Sequence, residues 1–236
     1  MKVIILAAGL GKRFRKLGSP KPLTLLSCGL SILEYQVRAL TRFIPIDDII
    51  VVVGYQKERI IECFPDLTYV YNPHYANTNT AKSLAHALRK VHSEDLLWLN
   101  GDVIFRPKIL SILLTDQRGS GMIVNTASVG DEEVKYRASP QGNILAISKV
   151  LENPQGEVLG VNRFVAKDLP ILKKYLAQCD ASHFFEAAID NAIQKKDLSV
   201  WSVPVLDSDC IEIDFPGDLE RADQLIASWA NKEHLC

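Results

Sequence analysis

Val3-Ile4-Ile5-Leu6-Ala7-Ala8-Gly9-Leu10-Gly11-Lys12-Arg13, followed shortly by Pro20-Lys21-Pro22, is the stretch on which the fold of this 236-residue chain turns. Its opening run is apolar without alternation, which marks a strand buried on both faces, as in a parallel sheet between two layers of helices. The strand leaves through small residues, so a backbone can approach a ligand closely and aim its amides at phosphate. Two phosphate-binding loops can be tested against this segment. A dinucleotide fingerprint would need glycine at Phe14, and a Walker loop would need glycine at Leu6 and Ser or Thr at Arg13. Both fail. What remains is a glycine turn carrying Arg13, with Lys21 between two prolines of fixed φ, so that two cations can face a polyphosphate. A solvated basic loop after a strand fits the same residues.

Outward from this segment, apolar runs alternate with helical patterns. Strands are expected at Val3–Ala7, Ile49–Val53, Tyr69–Tyr71 and Leu96–Leu99. Ser31 with Glu34 forms a capping box, ahead of Leu33, Val37, Leu40 and Phe43 at helical spacing. A further helix spans about 79 to 91, and Pro107 opens another. Past residue 120, Met122–Ala127, Val134–Ala138 and Ile144–Lys149 read as antiparallel strands, with a turn at 139–143. Two helices near 168–178 and 183–195, strands at Ser199–Val203 and Cys210–Ile213, and a helix from Pro216 to about Trp229 complete the chain. The expected fold is a mixed, mostly parallel Rossmann-like α/β sheet flanked by helices, with an antiparallel hairpin insertion. One domain is expected over 1–236, divided into a nucleotide-binding half (1–120) and an acceptor-binding half (121–236).

The composition fits a soluble globular protein: 47% hydrophobic, 23% charged, with 27 Lys plus Arg against 28 Asp plus Glu. That balance excludes a broadly basic nucleic-acid binder. It also hides an asymmetry, because residues 1–33 hold Lys2, Lys12, Arg13, Arg15, Lys16 and Lys21 and no acid. The remaining 21 cations face 28 acids, so the first segment is a local cationic cradle. Cys28, Cys63, Cys179, Cys210 and Cys236 are scattered without a CxxC pair, which fits reduced thiols. No apolar run is long enough to span a membrane, so a cytoplasmic location is expected and neither membrane nor nucleic acid is an expected partner. The oligomeric state is not fixed by the sequence.

Two acids stand at strand ends. Asn100-Gly101-Asp102 follows the fourth strand, where an open α/β sheet presents residues to a ligand crevice, and a magnesium ion needs only one or two carboxylates beside its waters. Asp102 as a turn or cap residue fits equally. Glu212-Ile213-Asp214 ends another short strand, and Asp214 also suits a helix cap. Between Asn72 and Leu84, a run rich in Asn and Thr leads into a helix start that can contact a base edge and a triphosphate, or be a plain Asx-turn and cap.

Together these residues resemble the nucleotidyltransferases that couple a nucleoside triphosphate to a phosphorylated small molecule. Ala7, Ala8, Gly9, Gly11, Arg13, Pro20, Lys21 and Pro22 match that family's opening pattern. The resemblance implies that Leu6, Ala7, Ala8 and Gly9 border the base and ribose, and that Gly11, Lys12 and Arg13 cradle the triphosphate, with Gly101 at the same site. It implies Lys21 and Arg13 as the catalytic cations, and Asp102 with Asp214 as joint ligands of Mg²⁺. The segment around Asn79 and Ser83 is similar to the cytidylyltransferase branch, which uses CTP with phosphocholine, aminoethylphosphonate or inositol phosphate. By that likeness Asn79 and Ser83 contact the nucleotide, while Lys149, Glu157, Phe184, Phe185 and Glu186 surround the acceptor. An aromatic face plus a carboxylate suits an amine or quaternary ammonium. Ordinary packing for 184–186 and an exposed strand end for Lys149 fit the residues as well.

The expected reaction is CMP transfer from CTP to a small phosphate or phosphonate, phosphocholine first among them, with pyrophosphate released. Such an acceptor is largely dianionic at neutral pH and needs no general base, consistent with the lack of any Ser/His/Asp or Cys/His constellation. A sugar-1-phosphate transferase using UTP or dTTP, and a nucleotide-binding regulatory module without turnover, are the alternatives. The sugar-binding motifs of the larger sugar transferases are not found here, and the five histidines have no metal-ligand spacing.

Overall fold

The computed structural model describes residues 1–126, 129–130 and 133–233, without the side chains of 15–17 and 230–233. Ala127, His234, Cys236 and the side chains of Arg15 and Lys16 lie outside the described residues. The chain opens with strand β1 (Lys2–Ala7) and, after two short 3₁₀ turns, continues through α1 (Ile32–Leu40), β2 (Ile49–Val53), α2 (Lys57–Cys63), β3 (Thr68–Tyr71), α3 (Thr80–Ala87) and β4 (Leu96–Asn100). There follow β5 (Val103–Phe105), α4 (Lys108–Thr115), β6 (Gly121–Asn125), β7 (Lys135–Ala138), β8 (Ile144–Ser148) and β9 (Gly156–Phe164). The last elements are α5 (Leu169–Gln178), α6 (Phe185–Gln194), β10 (Trp201–Pro204), β11 (Cys210–Glu212) and α7 (Pro216–Glu233).

The main sheet runs β10-β6-β9-β4-β1-β2-β3, and the β7–β8 hairpin joins it through pairing of β7 with β9. β1 lies parallel between β2 and β4, with Val3 beside Ile49 and Leu97. Strand alternation then divides its side chains between two cores. Val3, Ile5 and Ala7 pack with residues of α1, α4 and α7 such as Leu33, Ile109 and Trp229. Ile4 and Leu6 pack on the other face with Leu84, Leu172 and Ile189 of α3, α5 and α6. Both faces are covered, which is why the sequence of β1 does not alternate. Each such fully buried aliphatic contributes about 1.5–3 kcal/mol. The architecture is the mixed, mostly parallel sheet with flanking helices that the sequence pattern implies.

The departures lie mostly past residue 100. β9, nine residues long, runs antiparallel between β4 and β6 in the middle of the sheet and is not among the strands expected from the apolar runs. β6 belongs to the main sheet, parallel to β10, and is not part of the hairpin insertion. β5 was not expected as a strand; it pairs antiparallel with β11 in a separate two-stranded sheet. Phe43 falls beyond α1 and is exposed. The capping box is half formed: Ser31 Oγ accepts from Glu34 N at 3.2 Å, but the Glu34 carboxylate accepts from Arg38 one turn on.

Candidate active site

The carboxyl ends of β1 and β4 form the floor of a cleft. Gly101 N donates to Leu6 O at 3.0 Å, and a Cβ at Gly101 would come within 2.7 Å of that same oxygen, so only glycine lets the turn after β4 fold against β1. The small β5–β11 sheet then brings in the end of the chain. Glu212 lies opposite Val103, and Ile213 N donates to Asp102 O at 3.0 Å, which carries Asp214 to the side of Asp102 across 112 residues of sequence. From the opposite side comes Lys21. Gly11 turns at φ 53° with its Cα against the Lys21 side chain, a left-handed conformation that favours glycine. The Lys21 ammonium donates to Asp102 Oδ2 at 2.7 Å and to Asp214 Oδ1 at 3.3 Å. Burial alone would depress that ammonium; the two carboxylates outweigh it and hold it above its ordinary value. Two acids and one base from three distant segments therefore share one point.

The cleft beside them has a volume of about 400 Å³. Two sets of residues line it: Ala8, Gly9, Asn79 and Ser83 from the glycine turn and α3 make one wall, and Lys149, Glu157, Phe184 and Glu186 from the end of the hairpin, β9 and α6 make the other, with Asp102 and Asp214 on the same surface. The two walls meet where Asn79 Nδ2 donates to Ser182 O at 3.3 Å and Phe185 N donates to Thr80 Oγ1 at 3.1 Å. Three carboxyl groups here are largely withdrawn from water. Burial pushes Glu212 up to about 8, with the neighbouring Asp102 charge adding to it and the Asn100 amide opposing. Burial likewise raises Glu157, against a hydrogen bond from Asn125, and lifts Glu186 to about 7, against its own backbone amide and the Lys149 charge. Gly160 on β9 explains how Glu212 fits. Its N–H donates to Glu212 Oε1 at 3.0 Å, and a Cβ there would stand 2.5 Å from that oxygen and from Asn100 Nδ2.

Compared with known families, residues 3–159 match the MobA-like NTP transferase domain. The chain belongs to this family. Among curated proteins it is 24% identical over 244 aligned positions to the CMP-5'-(3-aminopropyl)phosphonate synthase of Streptomyces rubellomurinus, covering 94% of this chain and 38% of that one. It is 28% identical to the 2-aminoethylphosphonate cytidylyltransferase of Lancefieldella rimae, with 93% and 91% covered. The UTP–glucose-1-phosphate uridylyltransferase AglF of Haloferax volcanii shares 30% identity over 66% of each chain. Of solved structures, the CTP:phosphocholine cytidylyltransferase of Streptococcus pneumoniae superposes with a TM-score of 0.77 at 22% identity, over 95% of this chain and 98% of that one. The chain spans only 38% of the length of the first of these relatives.

In this NTP transferase domain the residues marked from sequence fall into three groups. Leu6, Ala8, Gly9, Asn79, Ser83, Asp102, Lys149, Glu157, Phe184, Glu186 and Asp214 line the cleft. Lys21 and Gly101 adjoin it through Asp102 and the β1 end. Lys12 is exposed, and the Arg13 guanidinium lies 4.1 Å over the Phe215 ring at the cleft's edge. Asn79 caps α3, its side chain accepting from Thr80 N at 2.9 Å, and Ser83 Oγ accepts from Asn72 Nδ2 at 3.1 Å, so both are anchored within the protein. Two residues depart from expectation. Ala7 is buried in the core below β1 and does not reach the cleft. Phe185 is 1% exposed and meets Trp98 edge-on at 5.4 Å, so it is a core residue and not an acceptor contact. Sequence reading passed over Asn100 and Glu212, which sat inside the quoted tripeptides; the alternation of a strand, which sets Glu212 and Asp214 on one face, was the available signal.

Proposed function

We propose that this chain transfers the cytidylyl group of CTP to a small acceptor bearing a phosphonate or phosphate, with release of pyrophosphate. The observation that carries the reading is the convergence of Lys21, Asp102 and Asp214 at the strand ends beside the cleft. The likenesses to two phosphonate-activating enzymes, one along nearly its whole length and the other over 38% of its length, support CTP and this acceptor class. Phosphocholine, the acceptor first expected, falls within it.

In this reading an acceptor oxygen attacks the α-phosphorus of CTP. A new P–O bond forms as the Pα–O–Pβ bond breaks in line, and pyrophosphate leaves with the electron pair. A dianionic acceptor needs no protein base, so the residues work by alignment and charge. Lys21 exchanges its carboxylate partners for phosphate oxygens, and the open backbone at Gly9, where nothing lies within 4 Å of a Cβ, admits the nucleotide. Asp102 and Asp214 fit a shared Mg²⁺, because both already converge on one cationic group and a hydrated magnesium asks for no more than two carboxylates. When bound, that ion would neutralise charge on the phosphates.

Pyrophosphate release by the purified chain, with each of four nucleoside triphosphates across 2-aminoethylphosphonate, phosphocholine, inositol-1-phosphate and hexose-1-phosphates, tests the reading. CTP-dependent release with a phosphonate or non-sugar phosphate is expected. Release confined to UTP or dTTP with a hexose phosphate would move the chain to sugar activation, the second reading, which the likeness to a uridylyltransferase favours. No release with any pair would leave a nucleotide-binding module.

A further inference from the structure

The three half-buried carboxyl groups of the cleft differ in how they are satisfied. Glu157 accepts from Asn125 Nδ2 at 2.7 Å. Glu212 accepts from Asn100 Nδ2 and from Gly160 N, both at 3.0 Å. Glu186 Oε2 is buried and has no hydrogen-bond donor among the described residues. Leaving such a group without a donor is unfavourable, most of all when it is charged. Lys149 does not supply one: its ammonium lies 4.7 Å over the Phe184 ring and acts on Glu186 only through space. The fold thus maintains, in the wall of its cleft, a carboxyl group that wants a donor.

A cationic ligand can be held in two ways. An ammonium with N–H groups donates to carboxylates, whereas a trimethylated nitrogen has no N–H and is held by aromatic faces. Among the described residues the cleft is lined by three aromatic side chains, Tyr75, Phe184 and Phe215. Two of them already carry a cation of the protein, Lys149 on Phe184 and Arg13 on Phe215. Tyr75 is packed on Gly54 next to Ala8. The wall around Glu186 therefore offers hydrogen-bond acceptance and charge in place of an aromatic box.

We propose that Glu186 is the specificity-determining residue for an acceptor that carries a primary ammonium group beside its phosphonate or phosphate, and that it discriminates against the trimethylated counterpart. The ammonium donates to the Glu186 carboxylate in a site poor in water, where a charge-assisted hydrogen bond is strong. The trimethylated group would leave Glu186 Oε2 buried with no donor. Sites built to hydrogen-bond a substrate N–H or O–H reject analogues lacking it far more strongly than apolar pockets reject an extra methyl. This rests on the cytidylyl-transfer reading above.

The test compares matched acceptors in CTP-dependent pyrophosphate release: 2-aminoethylphosphonate against its N,N,N-trimethyl analogue, and phosphoethanolamine against phosphocholine. The wild-type chain is expected to favour the primary ammonium of each pair by about 100-fold or more in kcat/KM. Glu186→Gln is expected to collapse that preference to within a few-fold, mostly by raising KM for the ammonium substrates. Glu157→Gln, which removes a carboxylate already satisfied by Asn125, is expected to keep the preference. Equal or better use of the trimethylated members by the wild type would overturn the assignment while leaving cytidylyl transfer standing. An unchanged ratio in Glu186→Gln would overturn the residue's role, and the wild-type comparison stands even if that variant does not fold. Absence of release with all four acceptors would overturn both this inference and the reading beneath it.

Discussion

The two walls of the cleft are built on different principles. The wall formed by β1, its glycine turn and the start of α3 is made of backbone and small residues at the ends of parallel strands, and its polar side chains are already bonded within the protein, Ser83 to Asn72, and Asn79 to Thr80 N and to Ser182 O. The wall formed by β9, the hairpin, α6 and the end of β11 is made of long side chains, three of them half-buried carboxyl groups, brought together from positions up to 55 residues apart between Glu157 and Glu212. The first wall suits a ligand part that never changes, since amides and glycines accept any phosphate. Charge-bearing side chains, which substitution can alter without disturbing the sheet, suit the part that varies. The difference implies that variants of the first wall and its floor abolish turnover, while variants of the second at a side chain left unsatisfied, as Glu186 is, redirect it.

The largest effect is expected at the floor. Lys21→Ala should lower turnover by about 10²–10³, the loss typical of removing one preorganised charge partner of a developing transition state. Asp102 and Asp214 are 28% and 51% exposed, so water can solvate them once the ammonium is gone, and the melting temperature should shift by only a few degrees. Pyrophosphate-release kinetics alongside calorimetry decides the matter. Turnover within a few-fold of wild type would remove Lys21 from the floor's chemistry and with it the contrast between floor and wall.

The next effect separates neighbours in sequence. Phe185→Ala should cost about 3–5 kcal/mol of stability, because its ring is packed against Trp98 in the core. Phe184→Ala, next to it but 40% exposed, should cost under about 1 kcal/mol. Urea titration of both variants measures the gap, and equal losses would show that α6 does not divide its aromatics between core and cleft. The pair also marks where sequence reading stops. Two adjacent phenylalanines cannot be assigned to core or cleft without knowing which way the helix is turned, and that is set by Trp98 on a strand far away. Gly9, Lys21 and Asp102 were legible because glycine turns, prolines and strand ends carry their meaning within a few residues. The length of β9 and the pairing of β5 with β11 were not, since each strand's partner lies tens of residues away and a three-residue strand has no periodicity to read.

Gly160→Ala probes the joint between the walls. The new methyl would stand 2.5 Å from Asn100 Nδ2 and Glu212 Oε1, and either β9 or the hydrogen bond between those side chains must yield. Overpacking of this kind costs about 1–3 kcal/mol, or a fall in melting temperature of about 2–4 °C for each kcal/mol in a protein of this size. A variant as stable as wild type would mean that Glu212 is not held by β9, and that the second wall is adjustable at its base.

The smallest effect is a dependence on pH. Burial holds the Glu186 carboxyl near 7, above its ordinary 4.5, so the folded chain keeps a proton that the unfolded chain releases. A raised carboxyl favours the fold while protonated; that contribution is full below about 4.5 and is lost as pH rises through about 7. Complete burial would make it worth on the order of 3 kcal/mol, and the partial exposure of the side chain reduces this to on the order of 1 kcal/mol. Glu186→Gln, which cannot ionise, should therefore match wild type near pH 5 and exceed it near pH 8 in urea titrations without substrates. Parallel profiles for the two proteins would mean that the carboxylate is already satisfied in the empty cleft. If instead the profiles diverge, the same wild-type slope should flatten when 2-aminoethylphosphonate and CTP are present, because an ammonium donating to Glu186 stabilises the ionised form that burial opposes. The wall that costs the fold stability when empty is then the wall that selects what fills it.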